Sequence, residues 1–283
     1  MLSILIPTYN YDITPLVKEM HKQCKACHIK FEILVYDDAS KSHLNSTNTN
    51  INDLDFCTFK ELPNNMGRSA IRNLLAKNAQ YSSLLFIDAG TFPKHDNFIE
   101  KYLSIKNKSA VSGGMTHLET PPRKPYKLRW LYTKKREFKT LCSSNFMINK
   151  DIFLSNCFDE TIKKYGYEDV LFFEKLSQKN IQTHIFNNPV IHSADDDANT
   201  FIKKTEFAIE NLIDLIETKK IDADSQKMYR LYSGLKRLKL VFLTHKFHEI
   251  LKPFLLKNFN SSYASIILFD VYRIGYFCYL KTK

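Results

Sequence analysis

The sequence predicts an α/β fold, a mostly parallel sheet flanked by helices, followed by a helical C-terminal extension. Three observations predict it. Short apolar runs alternate with amphipathic stretches across residues 1–220, as a series of β-α-β units would. The first runs end in polar or acidic residues, which in an open α/β sheet lie at the carboxyl ends of the strands, where ligands bind. Beyond residue 221 the strand-like runs stop and basic amphipathic stretches take over.

Residues 84–87 anchor the reading. Leu84, Leu85, Phe86 and Ile87 form a continuous apolar run, as a strand buried on both faces requires. The run stops at Asp88, with the turn formers Gly90 and Pro93 close behind, so Asp88 is expected to point into the crevice.

From the start, residues 3–7 read as an apolar strand and residues 8–10 as the loop after it. Thr14 and Pro15 open a helix whose apolar stripe is Leu16, Met20, Cys24 and Cys27. Residues 31–36 form a second strand ending in Asp37 and Asp38, and 57–62 form a third. Asn64, Asn65 and Gly67 make a turn, and 68–79 a helix with Ala70, Leu74 and Leu75 inward. A helix at 96–105 and a strand at 110–115 follow. Residues 119–139 are basic and proline-rich, with Tyr126, Trp130, Tyr132 and Phe138, and read as a long loop that is either a lid or a solvated linker. A strand is expected at 143–148, a helix at 168–178, short extended pieces at 181–186 and 190–192, and a helix at 199–217.

At 283 residues, with 44% hydrophobic and 25% charged residues, the composition is that of an ordinary globular protein. The net charge of +11 is unevenly placed: from residue 225 onward eleven Lys and Arg face only Glu249 and Asp270. Six cysteines are scattered, and Cys24 and Cys27 beside His21 and His28 lack a second close pair to complete a zinc site. They are read as buried, reduced thiols. Neither a basic n-region nor a cleavage site precedes the first strand, so the expected location is the cytoplasm. Glycine-rich dinucleotide and P-loop signatures do not occur.

Six motifs then stand in a telling order: SILIPTYN, EILVYDDAS, NNMGRSAIRN, FIDAG, GYEDVLFFEKL and PVIHS. Together they resemble an inverting family-2 glycosyltransferase of the GT-A (Rossmann-like) fold, over about residues 1–215. The resemblance implies transfer of a sugar from a nucleotide donor, with UDP favoured, to a hydroxyl of a glycan or lipid-linked acceptor in bacterial surface polysaccharide synthesis. It implies that Pro7, Thr8 and Tyr9 flank the base and ribose, that Asp38 accepts from the base, and that Asn65 and Arg72 face the nucleotide. A guanidinium can neutralise phosphate through its fork of donors.

Asp88 aligns with the start of the family's Asp-x-Asp motif, but the last position of that motif is Gly90 here. The resemblance implies a divalent cation, Mn²⁺ or Mg²⁺, held by Asp88 with His192 as a nitrogen ligand. With Gly90 in place of an acid, basic residues of 119–139 are the alternative source of positive charge. An inverting transfer also needs a base for the acceptor hydroxyl. The resemblance assigns it to Asp169, with Glu168 orienting the acceptor; both acids would equally suit a helix N-terminus.

The extension, 221–283, reads as basic helices interrupted at Pro253. Asp270 and Arg273 argue against a membrane-spanning last helix. The extension fits an anionic membrane surface, a packed helical subdomain or a homodimer interface. Nucleic acid is not expected, because no nucleic-acid motif accompanies the charge. Two competing functions remain. A nucleotidyltransferase would show a glycine-rich phosphate loop near the start, and a catalytically degenerate, nucleotide-binding or scaffolding protein would fit Gly90 and the basic tail.

Overall fold

The structure is a computed structural model that describes residues 1–105, 108–137, 140–163 and 165–282. In chain order its elements are β1 (Leu2–Thr8), α1 (Thr14–Ala26), β2 (Phe31–Asp37), α2 (Asn45–Asn48), β3 (Cys57–Glu61), α3 (Arg68–Asn78) and β4 (Ser83–Ile87). Then come β5 (Thr91–Pro93), α4 (Phe98–Leu103), β6 (Ala110–Ser112), β7 (Met115–His117), α5 (Lys127–Tyr132), β8 (Asn145–Asn149) and α6 (Lys150–Leu154). The remainder is α7 (Glu168–Gln178), β9 (Thr183–Ile185), β10 (Val190–His192), α8 (Ala198–Glu217), α9 (Lys227–Arg237), α10 (Val241–Phe259) and α11 (Ile266–Thr282).

The expected sheet is present, with the order β3-β2-β1-β4-β8-β6-β9. β1 pairs in parallel with β2 and β4, and β2 with β3. β8 runs antiparallel between β4 and β6, so its first residues lie at the edge where β4 ends. A second sheet, β5-β10-β7, places His192 opposite Thr91 on one side and His117 on the other. The single strand expected at 110–115 is thus two strands, β6 and β7, in different sheets. Gly113, between them, has Asn188 O at 2.3 Å from where a Cβ would sit, so a side chain has no room there.

Alternation sends successive strand residues to opposite faces. Ile4, Ile6, Ile33, Val35, Leu85 and Ile87 pack on one face with Leu16, Val17, Met20 and Cys24 of α1. Leu5, Leu34, Leu84, Phe86, Phe146 and Ile148 pack on the other with Ile71 and Leu75 of α3 and Phe172 and Leu176 of α7. The stacked rings of Phe158 and Phe172, 4.2 Å apart, seat the first turns of α7. Ile71, not Leu74, is the fully buried partner of Leu75 on α3. At the start of α1 the N-cap position is Ile13, which offers no side-chain cap, and Asp12 Oδ1 just before it accepts from the Thr14 N–H at 3.0 Å and the Thr14 hydroxyl at 2.7 Å. All six cysteines are free, with Cys24, Cys57 and Cys278 buried. Burial, with Cys27 and Cys57 nearby, pushes the Cys24 thiol up to about 12.

The chain forms two compact units. The first is Met1–His117, Arg136–Lys163 and Glu168–Ser193; the second is Leu118–Lys135, Lys164–Tyr167 and Ala194–Lys283. The sequence placed the division near residue 220, but α8 groups with the C-terminal helices. Its Ile209 and Leu212 share a core with Tyr232, Tyr276, Phe277 and Cys278. The stretch 119–139, expected as a loop, contains α5, with Leu128 and Trp130 buried and the Trp130 indole donating to Leu118 O at 2.8 Å. Phe138 lies outside the described residues.

Within the second unit α10 runs through Pro253 without stopping. The proline deprives one turn of its N–H, and packing on α11 compensates. Gly275 permits that approach: a Cβ there would stand 2.7 Å from His248 Cβ. Among the described residues no helix is long and apolar enough to cross a membrane.

Candidate active site

The predicted site residues of the first half gather at the carboxyl ends of β1, β2 and β4. Register sets Pro7 beside Tyr36 and Thr8 beside Asp37, and the Asp38 N–H closes the pair by donating to Thr8 O at 2.9 Å. Tyr9, just past β1, is 59% exposed. Thr8 Oγ1 is buried and has no hydrogen-bond partner among the described residues.

Asp37 and Asp38 divide two tasks. Asp37 is fully buried and accepts from the Ser40 N–H at 2.8 Å, the Ser40 hydroxyl at 2.7 Å and Asn45 Nδ2 at 3.1 Å. It fixes its own loop. Asp38 reaches across instead, accepting from the Met66 N–H at 2.6 Å and the Gly67 N–H at 2.9 Å. Asn65 Nδ2 donates back to Asp38 O at 2.9 Å, so the β2 end and the Asn-Asn-Met-Gly turn form one closed unit. Gly67 has φ +85°, a conformation that favours glycine, and it starts α3 at Arg68.

α3 then supplies two arginines one turn apart. Arg72 is 2% exposed; its Nη2 donates to Asp88 Oδ1 at 2.5 Å and its Nη1 to Arg68 O at 3.0 Å. Its guanidinium lies 5.9 Å from the Phe158 ring centre. Arg68 is more exposed and bridges two acids: Nε donates to Glu168 Oε1 at 2.6 Å, and Nη2 lies 3.7 Å from Asp88 Oδ2. An Asp88–Arg68–Glu168 chain therefore ties the end of β4 to the start of α7.

Glu168 and Asp169 begin α7, as expected. Glu168 is buried, with one oxygen on Arg68 and the other, Oε2, without a partner among the described residues. Asp169 Oδ2 accepts from the Ser143 N–H at 3.0 Å, while its Oδ1 is buried and has no hydrogen bond among the described residues. Burial, and secondarily the Glu168 charge, raise the Asp169 carboxyl above the usual carboxylate range; Arg72 and the Ser143 hydrogen bonds oppose this. The neighbouring Cys142 thiol is pushed up to about 12, chiefly by burial, so it stays neutral and is no nucleophile.

The expected cation pair does not fit as these side chains stand. A divalent ion needs oxygen or nitrogen donors aimed at one point. Both oxygens of Asp88 face guanidinium groups, Gly90 offers no side chain, and His192 sits in β10 beside Thr91 and His117. Gly90 meets this region through its carbonyl, which accepts from the Ser193 N–H at 3.1 Å. Among the described residues no three His, Cys, Asp or Glu side chains are gathered to hold a metal.

The profile of the family described as glycosyl transferase family 2 matches residues 3–158, more than half of the chain. The chain belongs to that family. It is a glycosyltransferase, and its solved structural neighbours share its GT-A fold. One is the mannosyltransferase PcManGT from Pyrobaculum calidifontis, in complex with GDP-Man and Mn2+, at 15% identity and a TM-score of 0.52. That match covers 76% of this chain but only 64% of the mannosyltransferase. Another is residues 1–349 of S. aureus TarS with UDP-GlcNAc, at 18% identity and a TM-score of 0.50, covering 100% of this chain and 92% of that one. GalNAc-T7 with UDP, GalNAc and Mn2+ matches at 15% identity and a TM-score of 0.50, over 68% of this chain and 43% of its own. No curated protein matches the chain in sequence.

Arg68, Ser143 and Cys142 also adjoin the candidate acids and were not singled out from the sequence. Arg68 carried one usable signal, its position one helical turn before Arg72. Ser143 carried none, because only the antiparallel course of β8 brings it to α7.

Proposed function

We propose that this glycosyltransferase moves a sugar, with inversion, from a nucleoside-diphosphate donor to a hydroxyl of a glycan or lipid-linked acceptor, in the assembly of a bacterial surface polysaccharide. The observation that carries the reading is the Asp169 carboxylate: one oxygen anchored by an amide, the other buried and without a hydrogen bond among the described residues, with its proton affinity raised. That is what a general base for a hydroxyl requires. The acceptor oxygen forms a bond to the anomeric carbon on the face opposite the diphosphate. The bond from that carbon to the diphosphate oxygen breaks, its electron pair leaving with the nucleotide, and the hydroxyl proton passes to Asp169 Oδ1. In this reading Glu168, held by Arg68, orients the acceptor.

Donor recognition falls in this reading to Pro7, Thr8, Tyr9, Asp38, Asn65, Arg72 and Asp88. UDP is the favoured nucleotide, supported by the UDP complexes among the structural neighbours. A divalent ion would supply positive charge to the departing diphosphate, and Asp88 with His192 would hold it only once Asp88 is released from Arg68 and Arg72. Because Asp88 is already compensated by two guanidinium groups, no step is assigned to the ion. The same ion pairs, with Gly90, favour the one competing reading, a catalytically degenerate nucleotide-binding or scaffolding protein.

The test is calorimetric titration of UDP and GDP, each with Mn²⁺ and with EDTA. The expected result is UDP binding that persists in EDTA. Failure of both nucleotides to bind in either buffer would overturn the transferase reading.

A further inference from the structure

The last three helices bury one side and leave an apolar second side uncovered. On α10, His248, Leu255 and Phe259 face inward, against Gly275, Tyr272 and Phe269 of α11. Leu243, Phe247, Ile250 and Phe254 recur at intervals of three and four residues and so share the opposite side. Each is more than half exposed, reaching 67% for Ile250 and 71% for Phe254. The pairings Phe259–Phe269 and His245–Tyr279 show that α10 and α11 run antiparallel. The start of α11 therefore lies beside the end of α10, and there Tyr263, Ile267 and Val271 are exposed as well. Four exposed apolar side chains along one side of α10, with three more near its end, mark an interaction site.

The charges around this face choose its partner. The corner between α9 and α10 reads Lys236, Arg237, Leu238, Lys239, Leu240, and all five are exposed. Lys246 and Lys257 flank the apolar stripe of α10. Between residues 227 and 257 eight Lys and Arg face Glu249 alone, and Glu249 is itself paired with Lys246. Three acids of α8 are occupied within the unit: Glu206 by Tyr272 and Lys252, Glu210 by Tyr276, and Glu217 by Lys281. A second copy of the chain seated on this face would bring cations against cations. An anionic lipid surface instead offers phosphate to the corner and hydrocarbon to the stripe.

We propose that this face, the outer side of α10 with the first turns of α11 and the basic α9–α10 corner, binds the surface of an anionic membrane. The helices lie in the interface plane: Phe247, Ile250 and Phe254 enter the acyl boundary while Lys236, Arg237 and Lys239 contact lipid phosphates. The inference does not depend on the donor or on the base, because none of its residues belongs to that site.

The test is cosedimentation of the full chain with phosphatidylcholine vesicles, with and without phosphatidylglycerol. The expected result is binding at least about tenfold tighter when phosphatidylglycerol is present, weakening with salt. Two variants separate the contributions: Phe247→Ser with Phe254→Ser, and Lys236→Glu with Arg237→Glu and Lys239→Glu. Each should lose at least about tenfold in vesicle affinity while UDP binding and the thermal midpoint stay as in the wild type, since the substituted side chains are solvent-facing. Equal, weak binding to both vesicle types would overturn the proposal. So would reversible self-association in sedimentation velocity that the serine variant abolishes, which would assign the face to a second copy.

Discussion

Replacing Asp169 with Asn should stop turnover and at the same time stabilise the fold. The carboxylate accepts from the Ser143 N–H at 3.0 Å, and its second oxygen is buried without a hydrogen bond among the described residues. A charged oxygen left without a hydrogen bond costs about 1–3 kcal/mol, and the repulsion from Glu168 adds to it while Arg72 offsets part. Asn keeps the acceptor for Ser143 and removes the charge, so a net gain of about 1–2 kcal/mol is expected near neutral pH. For a unit of this size that is a rise in melting temperature of about 2–4 °C per kcal/mol. The sign with pH follows from linkage. A carboxyl raised in the folded state stabilises below its unfolded value and loses that contribution as pH rises through its folded value. The advantage of the Asn variant should therefore be largest at neutral pH and vanish in acid. Calorimetric melts from acid to neutral pH, UDP titration and turnover on a UDP-sugar measure all three consequences. The expected pattern is a fall in kcat of about 10²–10⁴ with unchanged UDP affinity. A variant that melts lower than the wild type at neutral pH, or turns over within about tenfold of it, would refute the reasoning.

Three further outcomes follow from the same geometry. Asp88→Ala strands the buried Arg72 and should cost about 3 kcal/mol in urea unfolding, the low end for a broken buried pair because the Asp88 side chain is 26% exposed and Asp169 also faces Arg72. Asn145→Ala removes the fully buried amide that accepts from Tyr102 at 2.6 Å and donates to Gly114 O at 2.7 Å and Asn188 O at 2.9 Å; a loss of about 2–4 kcal/mol is expected, read by the same unfolding. His248 is lowered from 6.5 to about 4, mainly by burial, so its contribution is complete above the unfolded value and is lost as pH falls toward 4. The melting temperature should drop across that interval, and His248→Gln should flatten the drop.

Much of the framework was legible because it is written in local pattern. The apolar run 84–87 is the buried core of β4, and the Glu168-Asp169 pair begins a helix, each from residues adjacent in sequence. What escaped depends on distant partners. Arg68 and Glu168 are 100 residues apart, and the Ser143–Asp169 bond exists only because β8 reverses direction inside a parallel sheet. Pro253 read as a break because propensity weighs the missing N–H, whereas packing of His248 before it and of Leu255 and Phe259 after it keeps α10 intact. The cation pair meets the same limit: motif order brings out Asp88 and His192, but only the folded chain shows Asp88 facing Arg68 and Arg72.

That occupation separates two arginines that look equivalent in the sequence. Arg72 is buried, with its guanidinium shared between Asp88 and the Arg68 carbonyl, and it cannot move without leaving two polar groups unsatisfied. It is a fixed part of the β4 end. The Arg68 side chain is 45% exposed and spans Asp88 and Glu168 from solvent. Its 3.7 Å contact with the partly exposed Asp88 is screened by water and weakly held, whereas the 2.6 Å bond to the buried Glu168 is the firmer of the two. Under the proposed function, Arg68 is therefore the guanidinium that an incoming phosphate would draw away from Asp88 while it keeps its bond to Glu168. Because Glu168 remains its partner, any such movement would be felt at the acids that begin α7, and a donor-side event would be transmitted to the acceptor side through a single side chain.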